Sequence, residues 1–362
     1  MALFPSRTIA WYTAKMFLLR SAAFLLGLII ILESLDLLGE SGKILAAAGN
    51  GEAELWTYVS LRIPQLIQLF LPFSVLLATL VTLATLNQNS EVVIFKAAGL
   101  SAHHILAPLL IASFGIALAN FAFNEAVTTH ATRTLKIWQE AEYARVPPEK
   151  MLTSESWVRG GNDLFHAERV QGVGANTLLS GVTIYDRVDD RLERVVMAAS
   201  ARPAATGWQL SGVNSFDVGS GRRATAPEML FETVVVPRQF TTASINPAWI
   251  PLWVLVPQIG EQRDAGKPVD QLVAAAWHKI SGPLSTVLMP LLGAVAAFGL
   301  ARSGRLFVRA VIGMFLGFAF FVADNFMLAM GNFGTVPPLM AAWAPFVLFL
   351  LIGEAVLIRT EE

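Results

Sequence analysis

The chain has 362 residues, of which 54% are hydrophobic and only 15% charged, with a mean hydropathy of +0.56. Soluble domains carry about a quarter charged residues, so this composition is that of a membrane protein. The net charge of −1 offers nothing to nucleic acid, and the absence of cysteine excludes disulfides, Cys-ligated zinc and thiol catalysis.

Met16 to Leu32 forms the first apolar run, preceded by Arg7, Lys15 and Arg20. A cleaved signal peptide needs small residues soon after its apolar core. Here Ala46, Ala47 and Ala48 come only after Glu33, Asp36, Glu40 and Lys43, which favours a retained transmembrane helix. The second run, Leu66 to Leu86, is entered through Arg62 and Pro64 and mildly broken at Pro72, and the third is Ile105 to Phe123.

Between the second and third runs, Leu86 to Pro108 is a short polar break. Ser90 or Asn89 can cap a helix beginning at Glu91, followed by the amphipathic run Val92 to Phe95, then Lys96, a turn at Ala97, Ala98 and Gly99, and the pair His103 and His104. This predicts a short helix lying at a membrane surface. Glu91 reads as a carboxylate offsetting the helix dipole, as a charged knob for a partner, or as both, with Val92 to Phe95 buried in the partner's groove.

After Asn124 the composition changes for well over a hundred residues. Thr128 to Tyr143 continues the third helix outward until Pro147 and Pro148 stop it. Short β-prone runs follow at Leu164 to Val170, Gly181 to Val188, Arg194 to Ser200, Trp208 to Val218 and Phe231 to Pro237, separated by Gly, Asp, Asn and Pro. They predict an all-β sandwich or roll. From Trp249 an amphipathic piece ending at Gly266 and Pro268 leads back to three apolar blocks, Ile280 to Leu300, Phe307 to Leu328 and Leu339 to Ile358. Each approaches the ~20 residues that cross a hydrocarbon core.

The expected architecture is therefore a polytopic α-helical membrane protein with six transmembrane helices and an inserted all-β domain. Its parts are residues 1–130 with the first three spans, 131–268 with the β domain and flanking helices, and 269–362 with the last three spans. Placing the N-terminus inside puts eight basic residues of short loops, Arg7, Lys15, Arg20, Lys96, Arg302, Arg305, Arg309 and Arg359, on the cytoplasmic side. Only Lys43 and Arg62 are then outside. Both termini and the Leu86 to Pro108 break would be cytoplasmic, and the soluble β domain would lie outside the cytoplasm.

Catalytic signatures are missing. Neither Gly42-Lys43 nor Gly266-Lys267 has the upstream glycine of a phosphate-binding loop, and no HExxH or GxSxG motif occurs. If nucleotide drives this protein, another chain binds it. Adjacent His103 and His104 diverge by about 100° on a helix, which suits interfacial residues better than a metal site. Ionisable residues near the spans are the better candidates. Glu33 and Asp36 share a helical face near the end of the first span, where they reach either a cavity or simply the interface. Asp324 and Asn325 lie in the fifth span, His278 and Lys279 open the fourth, and Arg133 and Lys136 leave the third, in reach of a phosphate or merely solvated.

These segments resemble the LptF/LptG family, the transmembrane subunits of the lipopolysaccharide-export ABC transporter, and LptG more than LptF. The likeness is carried by SEVVIFKAAGLS (Ser90 to Ser101), WHKISGPL (Trp277 to Leu284), DLFHAERV, GVTIYD and FVADN (Phe321 to Asn325). It implies a bacterial inner-membrane protein whose β domain is a periplasmic jellyroll. It also implies that an LptB-like ATPase dimer, which binds the ATP and Mg, receives the helix of Ser90, Glu91, Val92, Phe95 and Lys96, with no cofactor in this chain.

The resemblance further implies an LptF-like second permease, and LptC-like and LptA-like jellyroll proteins carrying lipopolysaccharide onward. First and fifth spans would line a cavity open to membrane lipids, with Glu33, Asp36, Arg133, Lys136, Asp324 and Asn325 as candidate lipid contacts. LptG relatives often carry a lysine where this chain has Glu33 and Asp36, so a phosphate there would need a bridging cation or a partner's arginine. The competing classes are an ion-coupled secondary transporter titrating Glu33, Asp36 or Asp324, and a non-transporting anchor for the β domain.

Overall fold

The computed structural model describes residues 6–144, 153–171, 174–188, 191–204, 206–237, 240, 246–264, 268–298 and 306–361. Pro147, Pro148, Gly266, Leu300, Arg302 and Arg305 lie outside them. The chain divides into two compact units, one of Met1–Ala144 with Pro247–Glu362 and one of Arg145–Asn246.

The first unit is helical. Its elements are α1 (Arg7–Ala46), α2 (Glu52–Gln88), α3 (Glu91–Ala97), α4 (Ala102–Phe123), a π-helical turn (Asn124–Thr128), α5 (Thr129–Glu140), α6 (Leu252–Asp264), α7 (Asp270–Phe298), α8 (Leu306–Asn332) and α9 (Pro338–Glu361). Six of these helices, with α4 running on through α5, are long and apolar enough to cross a membrane. Helix is the only open-ended form that satisfies every backbone polar group inside hydrocarbon, so each apolar run folds that way. The 40 residues of α1 span about 60 Å at 1.5 Å per residue, roughly twice a hydrocarbon core. α1 and α2 therefore extend well past the apolar runs that announced them, and α2 passes through both Pro64 and Pro72 without ending.

The core of this unit gathers Val75, Leu76, Leu83 and Leu86 of α2, Leu106 and Leu109 of α4, and Leu288 and Leu292 of α7. α7 is the central strut, with 67% of its apolar window buried against 17% for α1 and for α8. Gly313 and Gly317 bring α8 onto α2, because a Cβ at either would collide with Leu80 or Leu76.

The second unit is one antiparallel sheet in the order β1-β2-β3-β4-β5-β6, comprising Thr153–Gly160, Asp163–Gln171, Leu178–Val188, Arg191–Ala204, Gly207–Asp217 and Arg223–Glu232. Every strand neighbours its predecessor in sequence, so among the described residues the unit is an up-and-down meander. In-register Phe165, Ile184 and Val196 line one face with Trp208, Leu210 and Phe231. Trp208 Nε1 donates to the Val235 carbonyl at 2.9 Å.

Four of the five expected runs are β2 to β5. The fifth differs: Phe231 and Glu232 end β6, while Val235 leaves the sheet and packs against its buried face with Phe240. β1 and most of β6 were not expected. Both are edge strands, and in β6 Pro227 and a broken alternation conceal the strand, which an edge tolerates because it needs no further ladder donor.

Candidate functional site

α3 fills the break between the second and third spans. Ser90, one of the two residues expected to cap it, enters it in the left-handed region at φ +59° and makes no side-chain cap. Glu91 is held instead by its neighbours: Asn89 Nδ2 donates to its Oε1 at 3.2 Å, and the Tyr12 hydroxyl of α1 donates to the same oxygen at 3.5 Å, a long bond.

The apolar run was expected to bury as one strip in a partner. It divides: Val92 is 6% exposed and lies in the helical core with Phe95 packed beside it, whereas Val93 and Ile94 are each 62% exposed. The i, i+3 spacing of Val92 and Phe95 is the signal for that inward face. Lys96 is exposed. Beyond the turn, Ser101 caps α4 by accepting from the His104 amide at 3.3 Å. His103 Nε2 meets Glu354 Oε2 at 3.2 Å while His104 Nδ1 meets Ser101 Oγ at 2.9 Å, so the two histidines serve different partners.

On α1, Glu33 and Asp36 share a face but not a fate. Asp36 is neutralised by Arg62 of α2, whose Nε and Nη2 donate to its two oxygens at 2.9 and 3.1 Å, and the Tyr58 hydroxyl donates at 2.5 Å. A phosphate beside these acids was expected to need a bridging cation or a partner's arginine; for Asp36 an arginine comes from this chain. Glu33 is 7% exposed, and among the described residues neither of its carboxylate oxygens has a hydrogen-bond partner. Further along, Tyr143 donates to Glu40 at 2.7 Å. Burial and that carboxylate push the Tyr143 hydroxyl up to about 12. Arg133 and Lys136 are exposed on α5, on either side of buried Leu135.

Two polar ties radiate from adjacent residues of α7. His278 Nε2 meets Asp324 Oδ2 of α8 at 2.9 Å, so Asp324 pairs helices at the level where the fourth span begins. Asn325, expected beside it, points elsewhere and donates to the Phe321 carbonyl of its own helix at 2.8 Å. Lys279 Nζ donates to Glu125 Oε1 at 2.9 Å, with side chains only 9% and 2% exposed. The other Glu125 oxygen accepts from the Leu252 amide at the start of α6.

Glu125 was missed by the sequence reading. It sits in the π-helical turn, whose extra residue resets the facing of the chain. The available signal was a lone acid just past one apolar run and a lone lysine just before another. Among the described residues no group of three His, Asp or Glu is placed to hold a metal ion.

Six spans, an inserted β unit and charges committed to holding helices together define a polytopic membrane protein. A profile of the lipopolysaccharide export system permease LptF/LptG family matches residues 11–359, and the chain belongs to that family. It is similar to the lipopolysaccharide export system permease protein LptG of Escherichia coli K12, with 26% identity over 357 residues, covering 96% of this chain and 95% of that one. The protein of the same name from Haemophilus influenzae is 26% identical over 334 residues, covering 87% and 89%. The chain is accordingly a permease subunit of a lipopolysaccharide export system, a multi-pass protein of the inner membrane. The ion-coupled and passive-anchor readings are not favoured.

Proposed function

We propose that α3 is the element through which a separate cytosolic ATPase of the LptB kind, binding ATP and Mg, drives this permease. The observation that carries the reading is the split of α3: Val92 and Phe95 root it in the span core, while Val93 and Ile94 stand exposed next to Glu91. A partner that moves the outward face moves the spans, because the inward face is part of their packing. Ser90 and Lys96 flank that surface.

In this arrangement both termini and α3 are cytoplasmic, and the β unit is periplasmic as an insertion of residues 131–268 between membrane parts 1–130 and 269–362. A second permease of the LptF kind completes a cavity for lipopolysaccharide, and jellyroll partners of the LptC and LptA kinds take the lipid from the β unit. Exposed Arg133 and Lys136 are the phosphate contacts. Asp36, neutralised by Arg62, no longer repels an anion, and Glu33, Asp324 and Asn325 belong to the polar lining rather than to its anion-binding part.

The test is co-purification. Glu91→Lys and Ile94→Asp should each release the ATPase while the chain remains inserted. Undiminished recovery of the ATPase with both variants would overturn the assignment.

A further inference from the structure

Among the described residues, α6 is the one α-helix of the membrane unit that neither spans nor joins two spans. Its buried side is Leu255, which is fully enclosed, while Trp253, Val254 and Val256 are 63%, 39% and 55% exposed. Only its far end, with Glu261, Arg263 and Asp264, carries charge.

Its depth is set by Glu125. That carboxylate lies two residues beyond the apolar end of α4, about 3 Å at 1.5 Å per residue, and holds both the Leu252 amide and Lys279, the residue preceding the apolar run of α7. Three chain segments therefore register at one level, the edge of the apolar belt. From there α7 extends nine residues further out to Asp270, about 13 Å, and the 13 residues of α6 cover about 20 Å. The apolar turns of α6 start level with the belt and its charged turn lies beyond.

We propose that α6 is a membrane-surface helix whose first two turns, bearing Trp253, Val254 and Val256, sit among lipid headgroups and upper acyl chains beside the third and fourth spans, with Glu125 as the positioning residue. Lipid fits this face better than protein. Indole is favoured at the interface, the face continues the lipid-coated belt of the spans, and three side chains fall far short of the roughly 800 Å² that each side of a stable protein interface buries.

The inference does not depend on how transport is driven. Because the chain has no cysteine, Trp253→Cys, Val256→Cys, Glu261→Cys and Arg263→Cys each supply a unique site for an environment-sensitive fluorophore. The full chain would be placed in nanodiscs of phosphatidylethanolamine and phosphatidylglycerol. Lipid carrying a nitroxide near the carbonyl end of its acyl chain should quench positions 253 and 256 and shift their emission to the blue, leaving 261 and 263 water-like.

Water-like, unquenched emission at 253 and 256 would overturn the proposal. So would a blue shift that appears only after a second permease is added, which would mean a protein occupant. With the label at 253, Glu125→Ala should lose quenching, while Glu125→Gln, which keeps an acceptor for the Leu252 amide, should retain it. Equal quenching in both would remove Glu125 from the positioning role. Should the Ala variant fail to insert, the labels in the unaltered background and the Gln variant still decide.

Discussion

α7 and α1 are both transmembrane helices, yet the more apolar of the two is the less buried. The best window of α1 has hydropathy 2.1 and is 17% buried, while that of α7 has hydropathy 1.6 and is 67% buried. In water the order would be reversed. In a bilayer lipid tails are as apolar as leucine, so hydropathy sorts helix from solvent and says little about which helix is central. The centre is taken by the helix that makes buried polar ties and close backbone approaches. α7 offers His278 and Lys279 to two neighbours, whereas α1 presents Leu26, Ile30, Ile31 and Leu35 outward, all more than half exposed.

Breaking the ties of the central strut should show the largest effect. Glu125→Ala strands Lys279 in a buried site, and loss of one partner of a buried pair costs about 3–5 kcal/mol. Thermal unfolding in detergent should show a large loss, much of it restored by combining Glu125→Leu with Lys279→Met.

Close approach comes next. Gly317→Leu drives a side chain into Leu76 and should cost about 1–3 kcal/mol by the same assay. On α1, Gly27 faces open space, and Gly27→Ala should stabilise by roughly 0.5–1 kcal/mol. Equal destabilisation by both changes would contradict the contrast between the helices. The α1–α2 pair Asp36 and Arg62 is partly solvated, with side chains 28% and 30% exposed, so Asp36→Asn should cost only about 1 kcal/mol. Smallest is Ile30→Ala on the open face of α1, within about 0.5 kcal/mol for the isolated chain. A larger loss confined to the assembled complex would show that a partner rather than lipid covers this face.

Much of the candidate site was legible residue by residue and illegible in its pairings. α3 starts at the expected Glu91, but its cap, its inward face and the Tyr12 contact depend on where α1 and α4 stand. Glu33 and Asp36 are three apart as a helix requires. Nothing local in the sequence tells that Arg62, 26 residues after Asp36, reaches that acid and leaves Glu33 without a hydrogen-bond partner among the described residues. Glu125 and Lys279 are 154 residues apart and were visible only as isolated charges at the edges of two apolar runs. In the β unit, alternating runs marked the interior strands, while the edge strand β6, which buries little and carries Pro227, left a weaker trace.

By itself the sequence determined that the chain crosses the membrane six times, that an all-β unit interrupts those crossings, and that no nucleotide-binding loop is present. These follow from run length against bilayer thickness and from residue periodicity, conditions each segment meets or fails alone. Tertiary structure alone decided which helix is central, which of two neighbouring acids is neutralised, and which face of α3 is left open. Such outcomes depend on the rotation and depth of each helix against its neighbours, where a turn of 100° per residue, or one extra residue in a π-helical turn, exchanges one partner for another.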